Sequence, residues 1–140
     1  MCELESVADY LPPIVLEIVD IIGFRETEKL IRKLGGAPIR FSCGAFYFPK
    51  VADAVGVDNA KELRYYFGGK ESVYIPRCET ALRMLRNQRF KSEFDSLREK
   101  GMSGRMIMVE LCPKFGISDR QGWDVIHSFN QQKVTQDSLF

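Results

Sequence analysis

The chain has little of what most catalytic or membrane chemistry requires. Its 140 residues include one histidine, His127, and four cysteines (Cys2, Cys43, Cys78, Cys112) that form no C-x-x-C pair. A tetrahedral zinc ion has to be enclosed by close ligand pairs, so no metal site is expected, and the cysteines read as reduced thiols of a cytoplasmic protein. Acid–base or nucleophilic catalysis needs converging titratable groups, and no cysteine lies near the lone histidine in sequence. Neither an enzyme nor a bound cofactor is implied. Net charge is +1, too small for a field over the whole molecule. No long apolar run is present either. The longest early one, 11-LPPIVLEIVDII-22, is interrupted by Glu17 and Asp20 and cannot span a bilayer. The start, 1-MCELESVADY-10, is acidic and unlike a signal peptide.

What is present is ordinary globular material, 45% hydrophobic and 28% charged, enough for one compact domain or two small ones. Charge divides unevenly along it. Residues 1–79 hold ten Lys/Arg and twelve Asp/Glu, a net −2, whereas residues 80–140 hold ten and seven, a net +3. Any polyanionic partner is therefore expected at the C-terminal half. Near the start, Ile14, Ile18, Ile21 and Ile22 recur at helical spacing. Pro12-Pro13 suits the first turn of that helix, where a missing N–H costs nothing.

The stretch 65-YYFGGKESVYIPR-77 places a glycine pair before a short β-prone run. It is not a phosphate-binding loop, because Gly69-Lys70 is followed by Glu71 and the residue five before Gly69 is Arg64. It is instead one copy of a repeat. The segment 23-GFRETEKLIRKLGG-36 aligns without gaps on 56-GVDNAKELRYYFGG-69, with Leu30 on Leu63 and Leu34 on Phe67. Allowing six extra residues in the first copy, 46-FYFPK-50 aligns on 73-VYIPR-77. Each copy reads as helix, Gly-Gly, strand, proline, basic residue. Glycine stops a helix without a Cβ clash, and proline ends strand pairing because it lacks a donor. So short a strand cannot stand alone. Its partner is either the other copy or the same strand of a second chain.

Beyond Arg77 the periodicity becomes helical. In 80-TALRMLRNQRFKSEFDSLREKG-101, Leu82, Leu85, Phe94 and Leu97 share a face near Phe90, with Thr80 as N-cap and Gly101 as stop. Arg83, Arg86, Arg89 and Lys91 form either a solvated face or a phosphate-binding one. A second helix follows Ser103 with apolar Met106, Ile107, Val109, Leu111 and Cys112, and Gly116 turns the chain into a third helix capped by Ser118. Cys112 four before that glycine and Ile126 ten after it give the spacing of a helix-turn-helix, whose second helix enters the DNA major groove.

Taken together, 67-FGGKESVYIPR-77, 93-EFDSLREKGMS-103 and 110-ELCPKFGISDRQGWDVI-126 resemble the Mor/C family, the middle- and late-operon transcription activators of Mu-like phages. The resemblance covers roughly residues 11 to 129. It implies a mainly α fold with short β-strands. Residues 1–72 would form a dimerisation region with repeat units near 23–50 and 56–77. Residues 73–79 would be a β-strand linker shaped by Gly68, Gly69 and Pro76, residues 80–129 a helix-turn-helix domain turning at Gly116, and residues 130–140 a polar tail. The implied partners are double-stranded DNA at an inverted repeat, a second copy of the chain, and RNA polymerase. No membrane is among them.

On that alignment Ser118, Arg120 and Gln121 open the recognition helix. Arg120 suits guanine and Gln121 adenine, and Asp124 and His127 are further candidates for base contact. Arg77, Arg105 and Lys114 are the phosphate candidates, or else solvated surface cations. Gly122 stands where the family pattern has an apolar packing residue. Pro113 falls near the end of the first motif helix. A mid-helix glycine costs about 1 kcal/mol and an interior proline about 3 kcal/mol, so the pair is expected to pack weakly. The opposing function is a protein-interaction module that has lost DNA reading.

Overall fold

The computed structural model describes residues 3–42, 44–69 and 72–138, with side chains up to residue 131. Cys2 and Cys43 lie outside the described residues; Cys78 and Cys112 carry no disulfide. The chain is mainly helical with one two-stranded antiparallel sheet. It forms two compact units, the first running from Glu3 to Leu82 and the second starting at Arg83.

The first unit opens with a 3-10 segment, Leu4–Tyr10, that buries Leu4 and Val7. Helix α1, Pro13–Leu34, follows with Pro12 as N-cap and Pro13 in its first turn. Val15 and Ile18 are its buried residues before a break at Gly23, and Thr27, Leu30 and Ile31 those after it. At the break Gly23 adopts φ 87° and ψ 165°, and its carbonyl accepts the Thr27 hydroxyl at 2.7 Å. That bond explains why the buried Thr27 is tolerated. Strand β1, Ala37–Ile39, comes directly after Gly35-Gly36.

The expected strand at residues 46–50 is instead the start of helix α2, Tyr47–Val55. Its pattern is helical, with Val51, Ala54 and Val55 on the buried side, and Pro49 falls in the first turn. Proline can therefore open this helix rather than close a strand. Gly56, with φ 90° and ψ 157°, separates α2 from α3, Val57–Phe67, which buries Ala60, Leu63 and Phe67. Phe67 stacks on Phe41 at 5.2 Å between ring centroids. Strand β2, Val73–Ile75, then pairs antiparallel with β1, Pro38 opposite Tyr74. Of the two partners left open for the strand, the one found is the other copy within the same chain.

The glycine pair does more than stop α1. A Cβ on Gly35 would lie 3.1 Å from the Pro76 carbonyl oxygen and 3.2 Å from the Arg77 Cα, and one on Gly36 would lie 2.5 Å from Arg77 Nε. The chain leaving β2 passes over these two residues: a Cβ on Gly35 would crowd backbone, whereas Gly36 needs its φ of 92° and a Cβ there would only displace the Arg77 side chain.

Helix α4, Glu79–Glu99, begins one residue before the expected cap, so Thr80 lies in its first turn. Cys78 precedes it with φ 53°, and its carbonyl accepts the Leu82 N–H at 2.9 Å. In the second unit the rest of α4 is followed by Gly101 at φ 93°. Helix α5, Gly104–Phe115, and helix α6, Asp119–Ser138, complete the unit. Helix α6 thus continues through most of the segment read as a polar tail. Phe90 and Phe94 from α4, Ile107, Met108, Leu111 and Cys112 from α5, and Val125 and Ile126 from α6 form the core, with Ile117 between the last two helices. Met106 and Val109, expected on the apolar face of α5, are exposed. The buried positions 104, 107, 108, 111 and 112 follow the helical repeat instead.

Candidate nucleic-acid interface

The turn between α5 and α6 is made by local chemistry visible in the residues. Ser103 Oγ accepts the Met106 N–H at 3.4 Å and caps α5. At the other end Gly116 adopts φ 67° and ψ 32°, the Ile117 N–H reaches the Cys112 carbonyl at 3.0 Å, and the Gly116 N–H reaches Pro113 at 3.2 Å. These are the two bonds of a Schellman motif, with Ile117 buried in the core beside Cys112. Ser118 and Gln121 then form a reciprocal cap. The Gln121 N–H donates to Ser118 Oγ at 3.1 Å, and the Ser118 N–H donates to Gln121 Oε1 at 2.9 Å.

Pro113 is exposed, and α5 continues through it to Phe115. The carbonyl that loses its helical donor belongs to Val109, itself exposed, so solvent can serve it. Gly122 is buried. A Cβ there would lie 2.8 Å from Cys112 Sγ, 2.8 Å from Met108 Sδ and 3.1 Å from the Phe90 ring. The helices are therefore close rather than loosely packed: α6 approaches α5 and α4 at Gly122, and the side chains of Cys112, Met108 and Phe90 fill the space. The expected weakening at Gly122 and Pro113 does not appear in the packing. Burial pushes the Cys112 thiol above its ordinary value, and the Asp119 carboxylate pushes it the same way. It stays protonated as a core residue.

Opposite Gly122, α6 presents Arg120, Asp124 and His127 at helical spacing, all exposed. Gln131, exposed and one turn further, extends the same line. It was missed because residues 130–140 read as a tail, although the spacing of four residues from His127 marks it. Trp123 lies at the side of this face, partly buried, stacked with His127 at 5.9 Å and edge-on to Phe94 at 6.0 Å. Its ring also covers Gly104, where a Cβ would lie 2.6 Å from it. It joins the three helices.

The other expected residues are distributed differently. Ser118 and Gln121 are engaged in the cap. Arg105 is exposed on the first turn of α5. Lys114 donates to Glu93 Oε1 at 2.6 Å, a bond from α5 to α4 that sequence spacing does not reveal. Arg77 belongs to the first unit, where it lies over Gly36 and pairs with Glu79 at 3.8 Å. Gly68 and Gly69 follow α3, and Pro76 follows β2. Among the described residues no group of His, Cys, Asp and Glu could hold a metal, and no helix is long and apolar enough to cross a membrane.

Residues 42–139, well over half of the chain, match the model of the Mor transcription activator family. The chain belongs to that family. Mor-family proteins are regulatory rather than enzymatic, so membership implies transcription activation and a DNA partner. No curated protein and no solved structure matches the chain. The match begins after β1 and takes in α2, α3, β2 and all three helices of the second unit. The Mor-family part therefore excludes α1 and β1.

Proposed function

We propose that this Mor-family chain is a sequence-specific activator that reads duplex DNA with α5–α6 as a helix-turn-helix, α6 entering the major groove. The observation that carries the reading is the line Arg120, Asp124, His127 on the face of α6 opposite the Gly122 packing face. Arg120 has the two parallel donors that guanine's major-groove edge accepts, a contact worth about 1–3 kcal/mol of discrimination. Gln121 has a different role from the one its sequence position suggests. Its Oε1 accepts the Ser118 N–H, so it orients the start of α6 instead of clamping an adenine. Arg105 serves the phosphates, while Lys114 is held by Glu93 and reaches them only when that bond opens.

The family resemblance further implies two chains on an inverted repeat and contact with RNA polymerase, and both belong to this proposal. The competing reading, an interaction module that has lost DNA reading, drew on Gly122, Pro113 and the near-neutral charge. Gly122 and Pro113 fit their helices, so of these only the net charge of +1 still favours it.

Selection from a random duplex pool at two salt concentrations, with anisotropy titration of the recovered site, tests the proposal. Enrichment of a defined motif is expected, with affinity falling as salt rises and a guanine preference lost in Arg120→Ala. The symmetry of the recovered motif counts the chains bound. Absence of enrichment at low salt would overturn the reading.

A further inference from the structure

The repeat goes further than its glycines. The whole of helix, glycine, helix, Gly-Gly and strand occurs twice in the first unit. Thirty-three residues separate Ile18 from Val51, Gly23 from Gly56, Thr27 from Ala60, and Leu30 from Leu63. All six non-glycine residues are buried. The two glycines adopt nearly the same backbone, φ 87° and ψ 165° against φ 90° and ψ 157°. The strands follow at a separation of thirty-six, Ala37 corresponding to Val73, Pro38 to Tyr74 and Ile39 to Ile75.

Their register then has a symmetry that the sequence does not show. Ala37 pairs with Ile75, Pro38 with Tyr74, and Ile39 with Val73. Exchanging the two copies turns the first pair into the third and leaves the central pair unchanged. The ribbon is two-fold about Pro38–Tyr74, as if two identical strands had met. Helix α1 packs against α2 and α3, so the helices of the two copies meet as well.

The family match adds the second observation. It begins at residue 42 and so contains the second copy but not the first. A chain consisting of the matched part alone would hold β2 without β1. A three-residue strand with both edges open is not stable by itself.

We propose that the segment ending at Ile39 is a built-in counterpart of the Mor-family α2–α3–β2 unit. It occupies, within one chain, the β2 edge and helix face that a second chain's equivalent unit would otherwise fill. The first unit is thus a single-chain pseudo-dimer, and the edge of β2 that faces β1 is closed to a second copy. Two chains on DNA do not meet through that edge. This inference does not depend on how DNA is read, so it and the DNA-binding proposal fail separately.

Cross-linking across the two-fold tests it in the full chain. Opposed residues of an antiparallel pair have Cα atoms about 4.5–5.5 Å apart, within reach of a disulfide. In Pro38→Cys/Tyr74→Cys, oxidation is expected to join residues 38 and 74 within a species that migrates as a monomer on non-reducing gels. Effective concentrations within a chain are of the order of millimolar, so at micromolar protein the intrachain product should exceed the interchain one by roughly a thousandfold. Peptide mapping identifies the bond among the native cysteines. Tyr74→Cys alone is the decisive second variant. A ribbon shared between two chains would place the two Tyr74 positions opposite each other and give a 74–74 covalent dimer. None is expected. Appearance of that dimer, a 38–74 bond found between chains, or a folded double variant with no 38–74 bond would each overturn the proposal.

Discussion

Inside their helical runs the two units use glycine for opposite reasons, although each also has glycines of the other kind, Gly35 held by space in the first and Gly101 and Gly116 at positive φ in the second. In the first, Gly23 and Gly56 have positive φ and nothing within 4 Å of where a Cβ would stand. Space is free there, and the restriction is one of backbone conformation. In the second, Gly104 and Gly122 lie in helices, and a Cβ would strike Trp123 in one case and Cys112, Met108 and Phe90 in the other. The restriction there is space. An architecture built on backbone breaks can be copied along a chain, because the same break tolerates different neighbours. One built on close fit depends on the particular side chains that meet, and the second unit shows no such repeat.

The largest test of this contrast is Gly122→Leu. Overpacking a core typically costs about 1–3 kcal/mol and occasionally more. With both sulfurs at 2.8 Å from the Cβ position, a loss at or above the upper end is expected. Urea unfolding followed by the fluorescence of Trp123, the sole tryptophan and a member of this core, reads it directly. Unchanged stability would mean that α6 can move away from α5.

Next comes Arg120→Ala, which separates reading from folding. It is expected to weaken the selected DNA site by about 1–3 kcal/mol, seen by anisotropy, while the urea midpoint stays within the range of an ordinary surface substitution.

Gly56→Ala should cost about 1–3 kcal/mol, the strain of placing a Cβ at a backbone conformation that essentially only glycine adopts. Hydrogen exchange should show faster opening in α2 and α3, and Gly23→Ala should behave alike in α1. A marked difference between the two would break the equivalence of the copies.

The smallest effect concerns Lys114. Glu93→Gln removes the charge of a partly exposed pair, so stability should change by only about 0–1 kcal/mol. The released ammonium becomes available to phosphate. The slope of log affinity against log salt should steepen, by at most roughly 0.9 for one added phosphate contact.

Much of the fold was legible because it rests on local rules. Pro12-Pro13 opens α1, Ser103 and Ser118 cap their helices, Gly116 turns the chain in the left-handed conformation, and the glycine pairs mark the two copies. The strand after the first pair was misplaced for an instructive reason. The motif 46-FYFPK-50 has strand-like residues and a terminal proline, yet proline serves equally in the first turn of a helix, and the buried spacing of Val51, Ala54 and Val55 lies beyond it. Local pattern could not choose between them. The candidate site was legible in outline, since Arg120, Asp124 and His127 are spaced for one face. Gln121 was not, because whether a glutamine caps its own helix or faces outward depends on the turn that precedes it.

The sequence by itself determined most of the helices, their glycine stops and the duplicated unit, which follow from local backbone preference and periodicity, but not helix α2 or the length of α6. The tertiary structure alone decided which strand pairs with β2, in what register, and which three side chains close over Gly122. Those depend on residues far apart in the chain reaching the same place, where antiparallel pairing and exclusion of volume choose among contacts that spacing leaves equal.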